Sequence, residues 1–135
     1  MKTKIKEHLP LILRIITAFI LIQTLRFKFT GHPDSVYIFS MVGMEPYGRI
    51  LIGVLELIAA ILLIFPRTVW TGAILTIGII GGAVLMHLTI LGIEVRGDGG
   101  LLFGMAIVTL ALALIILIIY RDQVPSIKHR FLDIV

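Results

Sequence analysis

Polar residues are sparse in this chain, and their placement leaves four long apolar runs: Leu9–Phe29, Tyr47–Phe65, Thr68–Gly92 and Leu101–Tyr120. Each is long enough to cross roughly 30 Å of hydrocarbon at about 1.5 Å rise per helical residue. None alternates in the pattern of about 10 residues that a membrane β-strand requires. The pattern therefore predicts an all-α fold, an integral membrane four-helix transmembrane bundle, with residues 1–135 forming a single domain. Local signals agree with the ends of the runs. Pro10 and Pro46 suit first helical turns, where a missing N–H is harmless. Phe65-Pro-Arg-Thr68 breaks the second span from the third, with Thr68 placed to cap the third. Asp98, ahead of Gly99-Gly100, is placed to cap the fourth. Between the first two spans, Val36-Tyr-Ile-Phe-Ser-Met-Val42 predicts a short interfacial helix in the first outer loop, stopped by Gly43 and carrying two aromatics suited to headgroup depth.

Composition turns the pattern into a location. Apolar residues make up 59% of the chain and the mean hydropathy is +1.10, against about 45–50% apolar content in soluble domains. Too much apolar surface is present for one small core, so the lipid bilayer must cover most of it. The net charge of +4 is spread over the ends of the spans and forms no nucleic-acid face. Lys2, Lys4, Lys6, Arg67, Arg121, Lys128 and Arg130 fall on one side. Arg26, Lys28, Arg49 and Arg96 fall on the other, among Asp34, Glu45, Glu94 and Asp98. The Lys/Arg bias predicts both termini on the cytoplasmic side. The basic N-terminus leads into a run too long for a signal peptide and without a small-residue cleavage site. There is no Cys, which excludes disulfides, thiolate metal sites, Cys-x-x-Cys redox chemistry and c-type haem attachment.

A few ionisable groups lie at membrane depth, where a charge costs roughly 3 kcal/mol or more and usually faces a partner or a cavity. Arg14, Thr17, Thr24 and Lys28 share one face of the first span, a polar stripe expected to look inward. For Arg14 itself, snorkelling to the headgroups and a buried pair both stay open. Gln23 points the other way, toward a hydrogen bond with a neighbouring helix. In the second span Glu56 lies two turns from Arg49 on a face shared with Gly53 and Ala60, small residues that admit a close neighbour. His87 stands near the outer end of the glycine-rich third span. By depth, Glu56 and His87 can meet directly or through a ligand. The expected site is thus a pocket of Glu56, His87, Arg49, Arg26, Arg14 and Lys28. The plainer alternative is a set of hydrogen bonds that merely holds the bundle together. No metal-ligand set is present, and His87 is the only His inside a span.

Taken in order, several short motifs resemble the DoxX family of small bacterial membrane proteins: Arg14-x-x-x-Ala18-Phe19, Phe27-Lys-Phe-Thr-Gly-His-Pro-Asp-Ser-Val36, Gly43-Met-Glu-Pro-Tyr-Gly-Arg49, Gly53-x-x-Glu56-Leu57, Gly81-Gly-Ala-x-x-x-His87-Leu and Leu91-Gly-Ile-Glu-Val-x-Gly-Asp-Gly-Gly100. The resemblance covers nearly the whole chain. It implies a four-helix protein of the bacterial inner membrane, with Glu56 and His87 at positions the family pattern marks. Family members are often named for thiosulfate:quinone oxidoreductase subunits or membrane-bound oxidoreductase complexes, and relatives are linked to assembly of other membrane proteins.

Two functions follow as expectations. One is a quinone- or redox-linked accessory membrane subunit, with a quinone or a lipid as the ligand of the polar pocket. The other is a non-enzymatic scaffold or assembly factor that pairs with other membrane proteins or with copies of itself. No complete catalytic set is present, so this chain is at most a subunit of an oxidoreductase. A solute or proton pathway ranks below both, because the inner half offers only Arg14 and a few threonines.

Overall fold

A computed structural model describes residues 2–124, with side chains from residue 7 onward. The side chains of Lys2, Lys4 and Lys6 and the tail from Pro125, with Lys128 and Arg130, lie outside the described residues. The chain forms α1 (Lys2–Thr30), α2 (Pro33–Met41), α3 (Tyr47–Ile64), α4 (Val69–Met86), a π-helical turn (His87–Leu91), α5 (Leu101–Ile119) and a 3-10 turn (Arg121–Gln123). Among the described residues four helices, α1, α3, α4 with its π turn, and α5, are long and apolar enough to cross a membrane. Among the described residues there is no strand. This is the four-helix membrane bundle that the apolar runs predict. The interfacial helix is present as α2, starting three residues earlier than expected because His32 Nδ1 accepts from the Asp34 N–H at 3.2 Å and Pro33 opens the first turn.

In the bundle α1 packs along α3, α3 along α4 and α4 along α5, while α5 closes back on α1 along a shorter seam. α2 lies across one end, against α1, α3 and the π turn. That end, with residues 31–46 and 92–100, is the loop end. The opposite end carries the α3–α4 turn and the last turn of α5.

Short-range chemistry sets the α3–α4 turn. Phe65 precedes a proline and is extended, at φ −83 and ψ 130, because the proline ring disfavours helical geometry in the residue before it. Thr68 occupies the N-cap position of α4, yet its side chain caps nothing there. Its hydroxyl instead reaches back to the carbonyl oxygens of Leu62 at 2.8 Å and Phe65 at 3.3 Å. It closes the helix behind it rather than opening the one ahead.

Small residues bring α3 and α4 close. Ala59, Ala60 and Ala73 are fully buried, and a Cβ placed on Gly72 would stand 2.9 Å from the Leu63 nitrogen and 3.1 Å from the Ala59 oxygen. Around this seam Ala18, Leu21, Leu63, Val69 and Ile116 complete the core. Large apolar side chains such as Phe19, Leu51, Leu85 and Ile118 point outward, as expected where lipid is the solvent. The buried threonines spend their hydroxyls on their own helices: Thr17 donates to Leu13 O at 2.8 Å, Thr76 to Gly72 O at 2.7 Å and Thr109 to Met105 O at 2.7 Å. Such back-bonding lets a hydroxyl sit in an apolar interior without an unmet donor.

Gly72→Ala is expected to destabilise the bundle by about 1–3 kcal/mol, since the clash is with backbone that cannot swing away. Gly78, whose Cβ would meet nothing within 4 Å, should accept Ala with no loss or a gain of up to about 1 kcal/mol. Equilibrium unfolding of the two variants in mixed micelles measures the difference.

Candidate functional site

The polar residues of the first two spans clasp α1 to α3 at three levels. In the middle, Lys28 Nζ lies 2.9 Å from Glu56 Oε2, with both side chains largely buried. The Thr24 hydroxyl stands 3.3 Å from the same oxygen and 2.8 Å from Leu21 O, so its single proton is shared between two acceptors. Lys28 also reaches the Thr24 oxygen at 3.4 Å. Both polar contacts of Glu56 use Oε2, leaving Oε1 without a hydrogen-bond partner among the described residues. Glu56 is 3% exposed, so its charge depends on Lys28. Removing one member of such a pair strands the other, at a cost of about 3–5 kcal/mol.

Nearer the loop end, Arg49 holds Glu45 one turn back, its Nε 3.0 Å from each carboxylate oxygen. Its Nη1 donates to the carbonyl oxygen of Lys28. That carbonyl belongs to the last turn of α1, where the helix has no partner of its own to offer. At the opposite end the roles reverse. Arg14 of α1, 5% exposed, donates from Nε to Leu63 O at 2.7 Å and from Nη2 to Ile64 O, both in the last turn of α3. Its Nη1 is 3.3 Å from the Tyr120 hydroxyl, and its guanidinium lies 5.6 Å from that ring's centroid. Each helix of the antiparallel pair thus supplies an arginine that caps the C-terminus of the other. A cation there also complements the helix dipole.

His87 opens the π turn, a form found mostly as single turns and often at functional sites. Its Nδ1 is 3.0 Å from Gly92 O. A carbonyl only accepts, so Nδ1 carries a proton, and in a neutral ring Nε2 is left as acceptor. Phe103 meets the imidazole edge-on at 5.5 Å between centroids. Beyond it, Asp98 organises the loop: Oδ1 accepts from Val95 N at 3.0 Å and Gly100 N at 2.9 Å, and Oδ2 from Leu102 N at 3.1 Å. Partial desolvation pushes the Asp98 carboxyl up, but these N–H groups, helped by the charge of a protonated His87, outweigh it and hold the group below its ordinary 3.8. Asp98 therefore caps α5, as its position before Gly99-Gly100 predicts. Arg96, at φ 51, reaches across to Asp34 at 3.3 Å and ties this loop to α2.

A family model described as DoxX matches residues 9–89, well over half of the chain. The chain belongs to the DoxX family. The match runs from α1 into the π turn and leaves the Asp98 loop and α5 outside it. No curated protein and no solved structure matches the chain.

Within this DoxX bundle the six residues expected in one pocket are divided among four places. Glu56 and Lys28 meet. Arg49 touches the same corner only through the Lys28 carbonyl, because Glu45, four residues earlier in the turn ahead of α3, takes its Nε. Arg14 is a correction: it neither snorkels nor pairs with an acid, since the open carbonyls of α3 lie within reach of its fork. Arg26 is exposed on another face of α1, over the Phe27 ring at 4.8 Å. His87 shares no hydrogen bond or ion pair with Glu56 among the described residues, because the π turn directs its Nδ1 to Gly92 O. Gln23, expected to bond a neighbouring helix, makes no hydrogen bond among the described residues and lines a groove beside α5. The sequence reading also missed Tyr120 and Glu45. The spacing of Glu45 and Arg49, four apart, is a signal that points to their pairing, whereas nothing local links Tyr120 to Arg14.

Two outcomes are expected here. Arg14→Met should cost about 2–4 kcal/mol of bundle stability by exposing two carbonyls to hydrocarbon, whereas Tyr120→Phe should cost under about 1 kcal/mol. Unfolding in mixed micelles compares them. For Asp98 the folded carboxyl titrates below its unfolded value, so its contribution to loop stability is complete above about pH 4 and is lost as pH falls through the lower folded value. Protection of the Gly100 and Leu102 amides, taken relative to their intrinsic exchange rates, should fall with acid in the parent chain and lose that pH dependence in Asp98→Asn.

Proposed function

We propose that this DoxX-family chain is an accessory membrane subunit, acting throughout its length as one transmembrane unit, and that it does no chemistry of its own. One observation carries the reading: Arg14, Lys28, Arg49 and Glu56 are engaged with one another, with Glu45 or with backbone carbonyls. Groups so engaged fix the shape of the bundle, whose outward apolar faces then meet lipid, another membrane protein or a second copy. A quinone-linked oxidoreductase of the bacterial inner membrane is the client class favoured by the family resemblance. The basic residues of the termini and of the α3–α4 turn support a cytoplasmic placement of that end.

A second reading has its own observation. Glu56 Oε1 is unpartnered beside the Lys28 ammonium, so the pair offers one acceptor and one donor to the polar head of a quinone or quinol. Lys28 and Glu56 are then ligand-binding residues, with Arg49 holding the Lys28 carbonyl beside them.

A double-mutant cycle separates the readings. In an accessory subunit, Lys28→Met and Glu56→Gln should each lower stability by about 3 kcal/mol or more, and the double variant should recover most of that loss and keep its membrane partners. Quinone binding by the parent chain that disappears in the stably folded double variant would establish the second reading and end the first.

A further inference from the structure

Because α5 meets α1 along a shorter seam than the other neighbouring helices share, a groove remains between them on the side of the bundle. It has two adjoining parts of about 600 and about 580 Å³, joined at Ile20 and Met105. The trough is apolar, with Phe19 at one wall and Val108 at the other. Its rim at the loop end is polar, with Gln23 and Arg26 on α1 and Asp98 on the opposite wall.

The rim side chains on α1 are unusual for this molecule. Arg14 and Lys28 of the same helix are both engaged. Arg26 has no hydrogen bond from its guanidinium and no ion pair among the described residues, and its guanidinium lies over the Phe27 ring. The Gln23 amide, a turn deeper, also bonds to nothing among the described residues. An amide and a guanidinium that face hydrocarbon without partners are costly unless the solvent itself supplies the acceptor.

A phospholipid supplies it. A headgroup phosphate offers several acceptor oxygens to Arg26 and Gln23, and an acyl chain fits the trough below. The rim carries a positive Arg26 and a negative Asp98, the latter kept ionised by its three backbone donors. This balance fits a head that bears a phosphate next to a primary ammonium. A purely anionic head would face Asp98 unfavourably, and a quaternary ammonium has no N–H to donate. We propose that the α1–α5 groove is a binding site for a phosphatidylethanolamine-type lipid, with its phosphate at Arg26 and Gln23 and its ammonium toward Asp98. The site lies apart from the Lys28–Glu56 pair, and its assignment does not depend on which client the chain serves.

Gly104 gives a clean way to close the groove. It lines the trough, and a Cβ there would meet nothing within 4 Å. Gly104→Leu should therefore fold while filling the space, and its helix propensity exceeds that of glycine. Arg26→Gln alters an exposed side chain and leaves the core untouched.

The test reconstitutes the full chain in bilayers with equal parts of phosphatidylethanolamine, phosphatidylglycerol and phosphatidylcholine and a small amount of quinone. Native mass spectrometry then reads what remains bound, and light scattering reads the oligomeric state. Phosphatidylethanolamine should be retained in preference to the other lipids, with its occupancy lowered about tenfold in Arg26→Gln and lost in Gly104→Leu. Retention of phosphatidylglycerol or quinone instead, or of all lipids alike, would overturn the proposal. So would unchanged retention in either variant, or a shift in oligomeric state in Gly104→Leu, which would assign the groove to a second copy.

Discussion

The last turn of a helix exposes carbonyl oxygens with no partner in their own backbone, and in a membrane there is little water to take them. The α1–α3 pair of this protein answers that constraint from within. Arg14 closes the end of α3 through Leu63 O and Ile64 O, and Thr68 adds the Leu62 carbonyl. Arg49 closes the end of α1 through Lys28 O. Because each cap comes from the other helix, the two ends fix the pair in register. The Lys28–Glu56 bridge lies between these two ends.

This arrangement changes what the buried charges mean. Isolated acids and bases at membrane depth are often functional by default, and Glu56, Arg14 and Arg49 all invite that interpretation on their own. Here the guanidiniums satisfy backbone and the carboxylate satisfies a lysine. Their expense is offset by contacts that a purely apolar interface lacks. Arg26 and Gln23, without hydrogen-bond partners among the described residues, stand elsewhere, at the rim of the α1–α5 groove. Outward, the protein presents apolar faces and the α1–α5 groove; inward, its charged side chains are engaged, with Glu56 Oε1 left open.

The order of the helices around the bundle explains why the groove lies where it does. Short connections and small residues bind α3 to α4 tightly, through Ala59, Ala60, Gly72 and Ala73. The loop before α5 is built on glycines and on Asp98, which draws three backbone donors to one carboxylate. Among the described residues no comparable polar clasp joins α5 to α1 along the groove. At the far end Tyr120 reaches Arg14 of α1, and Gln123 ties the chain after α5 to the α3–α4 turn through Pro66 O at 2.8 Å. The seam is therefore held at that end and open toward the other.

The chain by itself determined its solvent and its elements. Four apolar runs, the proline at 66, and Asp98 before two glycines act through local physics of length, ring geometry and capping, though α1 begins at Lys2, ahead of its run, and carries Pro10 inside it rather than in its first turn. The inward polar stripe of α1 was legible too, because helical periodicity alone puts Arg14, Thr17, Thr24 and Lys28 on one side. Only the tertiary structure decided which of them meet. Whether Arg14 finds an acid, the headgroups or a carbonyl depends on which helix end is brought beside it, and Leu63 is 49 residues away. The single pocket inferred from depth dissolved for the same reason: depth along a helix fixes one coordinate. Rotation, neighbour choice and the π turn at His87 fix the others, and these are settled by packing between residues far apart in the chain.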